Sequence, residues 1–318
     1  MSWEVILPFL RPIEPLLKDP EVTDILVNGA ARVFVEKCGV LQEVPNAGLT
    51  EKYLQVAARN VARVLGDEIG PDKPLLDARL PDGSRIAAVL PPSSLTGTIL
   101  AVRKFHGQRY NIDELVRLGT LTPEVGNRLR RAVENRENVL ISGSTGSGKT
   151  TLMTALAGLI PDHERVVVIE DTAEIQISAG NLVRLEARRE QATAAAVTIR
   201  DLLRMTLRLR PDRILLGEVR GGEAFDLLQA LNTGHSGTLA TLHANSASLA
   251  LARFTTCILQ SGIELPYRAI RSNIADAVHL LVHLDRRQGK RLVTQVFAVR
   301  GYDPALDRYD LERVYERE

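Results

Sequence analysis

A chain of 318 residues is long enough for two domains at roughly 150 residues each. Its 40 basic and 39 acidic residues leave a net charge of +1, which excludes coating nucleic acid through bulk charge but not a local basic surface. Aromatic residues are only 4% of the chain, so the core has to be built mainly from aliphatic side chains.

The opening stretch MSWEVILPFLRPIEPLLKDPEV is apolar but interrupted by Glu4, Arg11, Glu14 and prolines. It lacks a basic leader and a clean apolar run, so it does not read as a signal peptide. The expectation is a short helix docked on the first domain, the alternative a segment that touches a membrane or a partner. TDILVNG and RVFVEKCGVLQEV then read as strands joined by a glycine-containing turn. From Thr50, TEKYLQVAARNVARVLG has helical apolar spacing, with Thr50 as N-cap and Gly66 near its end. SRIAAVLPP and GTILAVRKF are further strand candidates. These elements define a small mixed α+β domain over 1–105, followed by a polar, turn-rich linker over 106–115.

Residues 116–318 form the second expected domain. TPEVGNRLRRAVENR opens it as a helix capped by Thr122 with Pro123 at the first helical position. NVLISG, RVVVIED, LVRLEA, RILLGEV and TLATLHA then alternate as strands with the helices KTTLMTALAGLI, TIRDLLRMTLRL, EAFDLLQALNTG and LALARFTTCILQSG. Short, continuously apolar strands between helices predict an α/β domain with a mainly parallel sheet covered on both faces. The last ~40 residues read as a helix and a few antiparallel strands with a charged tail. No apolar run approaches the ~18–20 residues that span a bilayer. Cys38 and Cys257 have no C-x-x-C or zinc spacing and are expected as buried apolar residues in a reducing, cytosolic compartment.

Gly143-Ser144-Thr145-Gly146-Ser147-Gly148-Lys149-Thr150 fits G-x-x-x-x-G-K-[ST] between a strand and a helix. Glycines let backbone N–H groups converge on phosphate oxygens, and the helix N-terminus adds partial positive charge. Lys149 is expected to reach the β- and γ-phosphates, Thr150 to offer its hydroxyl to Mg²⁺, and Thr151 to complete the nucleotide contacts. Glu218 ends the apolar strand RILLGEV, with Gly217 where most such strands carry Asp, and is expected to hold Mg²⁺ through water. It can instead be a surface acid paired with Arg220. Glu170, Asp171 and Glu174 follow RVVVIED. Glu174 is assigned to the attacking water, Glu170 or Asp171 to the metal shell or a turn. His235 and His243 bracket TLATLHA, either sensing the γ-phosphate or packing. His106, His163, His279 and His283 form no metal set. Arg200, Arg204 and Arg208 make one helical stripe, open to nucleotide, a neighbouring subunit, DNA or a salt-bridged surface.

In combination, the loop at 143–150, the acids at 170–174, the Gly-Glu strand end at 213–218 and the histidine stretch at 235–243 resemble the secretion-ATPase superfamily of type II and type IV secretion and type IV pili. The Gly-Glu ending is usual there. VTDILVNGAARVFVEKCGVL, LLDARLPDGSRIAAVLPP and TILAVRKF resemble the N-terminal domain of the type IV branch. No tetracysteine zinc insert is present, and the compact length and ending are most similar to the conjugal-transfer ATPases called TrbB. The resemblance implies a RecA-like second domain, ATP/ADP and Mg²⁺ as ligands, and hydrolysis of ATP to ADP and phosphate. It implies that Arg85 and Arg103, with Arg79 as a weaker third, reach nucleotide phosphates. It further implies a hexameric ring on the cytoplasmic face of the bacterial inner membrane. There the ring would meet cytoplasmic and inner-membrane components of a type IV machine and power conjugative DNA transfer or pilus assembly. An adherence-pilus or type II secretion motor, or a ring translocating nucleic acid directly, are the alternatives. The near-zero net charge and lack of an aromatic stacking set weigh against the last.

Overall fold

A computed structural model describes residues 3–37, 39–45, 48–105, 110–188 and 195–317. Cys38, His106 and residues 106–109 of the expected linker lie outside these. The chain divides into two compact units that meet in sequence at residues 107 and 108.

The first unit opens with α1 (Trp3–Ile6), a 3-10 stretch (Leu7–Ile13) and α2 (Glu14–Lys18). Pro8, Pro12 and Pro15 break this stretch into turns instead of one helix. Its apolar residues Ile6, Leu10, Ile13 and Leu17 are all buried in the unit's main core, beside Ile25, Leu54 and Leu100. Then follow β1 (Val22–Asn28), β2 (Arg32–Lys37), β3 (Val40–Val44), α3 (Glu51–Val64), β4 (Leu75–Arg79), β5 (Arg85–Val89) and β6 (Ile99–Arg103). The strands form one antiparallel sheet in the order β3-β2-β1-β6-β5-β4. RVFVEKCGVLQEV is therefore two strands, divided where Gly39 takes a left-handed φ of +80° that a pleated strand cannot hold. The Thr50 hydroxyl caps α3 by accepting from Tyr53 N–H, and Gly66 at φ +77° ends it.

The second unit begins with α4 (Ile112–Arg117), which occupies part of the expected linker, and α5 (Pro123–Glu134), capped by Thr122. It continues through β7 (Val139–Gly143), α6 (Lys149–Ala157), β8 (Arg165–Glu170), β9 (Asn181–Glu186), α7 (Ile199–Thr206), β10 (Arg213–Val219), α8 (Glu223–Asn232) and β11 (Leu239–Leu242). It closes with α9 (Ala247–Leu259), α10 (Tyr267–Ala277), β12 (Leu280–Arg287), β13 (Lys290–Asp303) and β14 (Arg308–Glu316). The sheet order is β14-β13-β12-β7-β11-β10-β8-β9. Strands β12 through β9 are paired in parallel, whereas β12-β13-β14 is an antiparallel meander. The expected charged tail is thus mostly an edge strand. Successive residues alternate between two cores on opposite faces: Ile141, Val166 and Val168 on one, Leu140, Val167 and Ile169 on the other. Cys257 is buried in the second core.

At the N-terminal ends of these strands a buried ion pair fixes the base of the sheet. Arg213, only 2% exposed, bonds the Glu164 carboxylate through Nε and donates from Nη2 to the Val133 carbonyl. Gly237, at φ +78°, leaves the room: a Cβ there would lie 2.1 Å from Arg213 Nη1. Arg136, partly exposed, also pairs with Glu164 at 2.9 Å, so losing Arg213 leaves the buried carboxylate with one partly solvated partner and the Val133 carbonyl without its donor. Arg213→Ala is expected to cost about 1–3 kcal/mol in urea unfolding; no measurable loss contradicts this account.

Candidate active site

The loop after β7 is built around three glycines with positive φ: Gly143 (+154°), Gly146 (+72°) and Gly148 (+99°). At Gly143 a Cβ would sit 2.4 Å from the Leu284 carbonyl oxygen and 2.5 Å from Ser147 Oγ, so no other residue fits. Gly148 is the N-cap of α6, whose first N–H groups have no partner within the helix and form a ready anion seat. Lys149 opens that helix and is only 8% exposed. Its Nζ donates to the carbonyls of Gly143 (3.0 Å) and Ser144 (2.9 Å). Burial lowers its pKa; Glu218 and Glu174 oppose that shift, and Arg220 adds to it. The Ser147 hydroxyl is buried with no hydrogen-bond partner among the described residues. Thr150 and Thr151 follow in the first turn of α6, half-buried.

β8 and β10 bring the acids to the same sheet edge. Glu170, 3% exposed, accepts the N–H groups of Glu174 and Ile175, both at 2.8 Å, and so shapes the loop that carries Glu174. Burial pushes its pKa up to about 7 against the pull of those N–H groups and of Arg184, 3.9 Å away. The Glu170 side chain also accounts for Gly217: a Cβ there would meet Glu170 Cγ at 3.1 Å. Glu218 is half-buried, and burial opposes its charge. The Arg220 hydrogen bonds, with Arg220, His243 and Lys149 as cations, outweigh that and hold its pKa below the ordinary value. Arg220 bridges the acids, at 2.9 Å from Glu218 and 3.1 Å from Asp171. His243, just past β11, places Nε2 3.2 Å from Glu218 Oε1; burial and then Lys149 hold its pKa below the usual value.

The sequence profile of the family described as Type II/IV secretion system protein matches residues 9–300. The type IV secretion system protein PtlH homolog of Bordetella bronchiseptica is 37% identical over 306 residues, covering 88% of this chain and 90% of that protein. The conjugal transfer protein TrbB of Rhizobium radiobacter is 37% identical over 292 residues, covering 90% and 86%. The chain belongs to the type II/IV secretion system protein family. The crystal structure of the VirB11 ATPase from the Brucella suis type IV secretion system, in complex with sulphate, matches at 32% identity and TM-score 0.50. That match covers 92% of this chain and 97% of that one. This member of the family is an ATPase, with a small mixed α+β N-terminal domain and a RecA-like P-loop domain.

In this secretion ATPase the structure gathers Lys149, Glu170, Asp171, Glu174, Glu218 and His243 at one sheet edge. It does not bring His235 there. His235 precedes β11, at the opposite end of the sheet, with Nδ1 3.1 Å from the Ala230 carbonyl. A strand of ~3.3 Å per residue separates it from His243. The first unit places Arg79, Arg85 and Arg103 opposite one another in register on β4, β5 and β6. Like charges so aligned repel. Arg85 lies 3.7 Å from Asp77, and Arg103 Nε bonds Asp24 at 2.9 Å. Of the arginine stripe, Arg200 and Arg204 both bond the buried Asp226 of α8, at 2.6 and 2.7 Å, which is the salt-bridged alternative. His279 and His283 act within the sheet and not on a helix: His279 Nδ1 accepts the Asn138 N–H, and His283 Nδ1 sits 2.9 Å from Ser142 Oγ.

Two contributors escaped the sequence reading. Arg291 of β13 donates from Nε to the Gly146 carbonyl at 3.0 Å, clasping the loop from 145 residues away. Arg253 of α9 lines a cavity of about 420 Å³ together with Ser144, Thr145, His243 and Asn245. No local pattern marks either, because both act through tertiary contact.

Glu170 makes stability depend on pH. The folded chain keeps its proton up to about 7, whereas the unfolded carboxyl releases it near 4.5. Its contribution is therefore fully present below about 4.5 and is lost as pH rises through about 7, by at most about 3 kcal/mol. Glu170→Gln is expected to gain stability relative to the unsubstituted chain between pH 5 and pH 8 in urea melts. An unchanged difference at the two pH values would refute the neutral carboxyl.

Proposed function

We propose that this chain binds ATP with Mg²⁺, hydrolyses it to ADP and phosphate, and uses the cycle to drive a type IV secretion machine. The observation that carries this reading is the convergence of a complete phosphate loop, the buried Lys149 with the half-buried Glu218 and His243, and the Glu174 loop on one sheet edge. The positive-φ glycines, the α6 N-terminus and the orphaned Ser147 hydroxyl fit phosphate oxygens. Lys149 would exchange its loop carbonyls for β- and γ-phosphate oxygens. Residues 143–151 form the cradle. Thr150 and Glu218, with Asp171 beside them, are the oxygen donors suited to Mg²⁺, which is commonly held by one or two carboxylates and substrate phosphates. When bound, Mg²⁺ neutralises charge on the β- and γ-phosphates.

Glu174 is exposed and sits on the loop held by Glu170, close enough to Lys149 and Arg220 to act on their charges. It orients the water whose oxygen attacks the γ-phosphorus, while the bridging oxygen leaves with ADP. Arg220 holds Glu218 and Asp171 as a pair, so its movement would change both acids together. The row Arg79, Arg85 and Arg103 is a second cationic surface whose mutual repulsion an anion would relieve, as the family's phosphate-reaching arginines require. We assign residues 1–105 and 116–318 as the domains, 106–115 as their linker, and a hexameric ring as the working assembly. Its place is the cytoplasmic face of the inner membrane, among type IV secretion components.

One relative is named a conjugal transfer protein, which supports conjugative DNA transfer as the work done, while others are named only as type IV secretion system proteins. Direct nucleic-acid translocation finds little support, because two members of the arginine stripe are taken up by Asp226.

Lys149→Ala is expected to reduce phosphate release at least about 100-fold, the scale seen on removing one preorganised donor. Full turnover in that variant would sink the assignment. For the ring, phosphate release is measured against protein concentration while mass is determined with and without Mg·ATP. Activity that rises with a ring-sized species supports shared sites. Full activity in a monomer removes the ring and leaves an isolated nucleotide switch.

A further inference from the structure

Beside the phosphate loop lies a buried polar chain that none of the motifs accounts for. Ser142 is the β7 residue just before Gly143, and His283 faces it from β12 in parallel register, with Leu284 opposite Gly143. Both are buried, His283 at 2% exposed and Ser142 at 0%. Ser142 Oγ lies 2.9 Å from His283 Nδ1 and 3.3 Å from the Val282 carbonyl. His283 Nε2 faces the Asp285 carboxylate at 3.3 Å without an aligned hydrogen bond among the described residues. Asp285 in turn accepts the Thr294 hydroxyl, also at 3.3 Å. Leu281, Val282 and Leu284 next to His283 are buried and apolar, so an aliphatic side chain would suit this position in the core. A buried ring with an unmet nitrogen is costly there, and its presence calls for a use.

The loop starts at Gly143, directly after Ser142. β12 and β13 hold it from one side: the Leu284 carbonyl closes on Gly143, where a Cβ would lie 2.4 Å from its oxygen, and Arg291 takes the Gly146 carbonyl. Lys149 adds a staple of its own by donating to the Gly143 and Ser144 carbonyls. That staple is temporary, because the same ammonium has to move to phosphate. Once it leaves, the Ser142–His283 bond is the side-chain tie next to the start of the loop. The state of the ring follows from its surroundings. Burial opposes a charge on it and outweighs the pull of Asp285, with Lys149 repelling in addition, so its pKa lies below the usual value. β7 and β13 face it with the neutral Ser142 and Gln295. A neutral ring with its proton on Nε2, toward the carboxylate, leaves Nδ1 to accept the Ser142 O–H.

We infer that His283 is a positioning residue of the nucleotide site: in its neutral, Nε2-protonated form it anchors the phosphate loop through Ser142, with Asp285 selecting the tautomer. It touches no nucleotide. Its part is to hold the point at which the loop leaves the sheet after Lys149 has turned to phosphate, so that the loop N–H groups keep the spacing that phosphate oxygens require. The tie therefore matters more in the nucleotide-bound chain than in the empty one, and is read as affinity. The inference rests on the nucleotide reading of the loop.

The test measures Mg·ADP binding to the full chain by calorimetry for the unsubstituted protein, Ser142→Ala, His283→Leu, the double variant and His283→Asn, with a urea melt of each. Ser142→Ala and His283→Leu are each expected to raise the ADP Kd roughly threefold to tenfold, the worth of one hydrogen bond. The double variant should lie within about twofold of the weaker single one, because both changes remove the same bond. His283→Asn, whose amide oxygen takes the place of Nδ1, should return the Kd to within about twofold of the original. Ring ¹⁵N spectra of the Mg·ADP complex should show His283 neutral with its proton on Nε2. An unchanged Kd in Ser142→Ala overturns the assignment, whether or not His283→Leu folds. So do additive effects in the double variant, failure of His283→Asn to restore affinity, or a proton on Nδ1. A lowered urea midpoint with an unaltered Kd makes the pair purely structural and equally overturns it. Lys149→Ala is run alongside: undiminished ADP binding there overturns the loop reading itself and not merely the part given to His283.

Discussion

When strands run parallel, each delivers its C-terminal end to the same edge of the sheet, and whatever follows those strands has to meet there. Here β7 ends in the phosphate loop, β8 in Glu170 and its loop, β10 in Glu218, and β11 in His243. Parallel pairing of β7 with β11, β11 with β10, and β10 with β8 therefore brings groups up to about a hundred residues apart in sequence to one edge, where Arg220 meets Asp171 at 3.1 Å and His243 meets Glu218 at 3.2 Å. The same constraint explains what is missing from the edge. His235 precedes a strand instead of following one, and parallelism consigns it to the other end along with the Arg213–Glu164 pair.

Within that edge the charges form a closed arrangement. Lys149 is folded onto carbonyls of its own loop, Glu218 is shared between Arg220 and His243, and Asp171 is held by Arg220. Glu170 differs from its neighbours because burial, not a cation, dominates its state. It behaves as a hydrogen-bonding post for the Glu174 loop, and its Cγ would crowd a Cβ at Gly217 at 3.1 Å. The glycine that stands where most such strands carry Asp thus packs tightly against a residue on the adjacent strand.

The phosphate loop and the α/β alternation were legible in the sequence for a physical reason. Gathering backbone N–H groups around phosphate restricts the residues to glycine, a lysine and a hydroxyl at fixed offsets, and strands buried on both faces must be continuously apolar. Caps such as Thr50 and Thr122 were legible because their hydrogen bonds reach only three residues ahead. Features set by distant contacts were not. β4 alternates too weakly to announce itself, and the division of β2 from β3 hangs on one left-handed glycine. Asp226 gathers Arg200 and Arg204 across helices, while Arg291 and Arg253 come to the loop from strands and helices that carry no motif. Glu170 reads as one acid among three until its burial is known.

The strand at the chain's end bears on solubility. β14 is an outermost strand, and an outermost strand offers a row of backbone groups to any extended segment that drifts past. Arg308, Asp310, Glu312, Arg313 and Glu316 are exposed along it, with Arg300–Glu312 and Arg313–Glu316 ion pairs at 2.6 and 3.3 Å. A foreign strand laid against this edge would have to desolvate those charges. What looks in the sequence like a polar tail thus acts as a guard against edge-to-edge aggregation, and its alternating signs do so without adding appreciable net charge to the molecule.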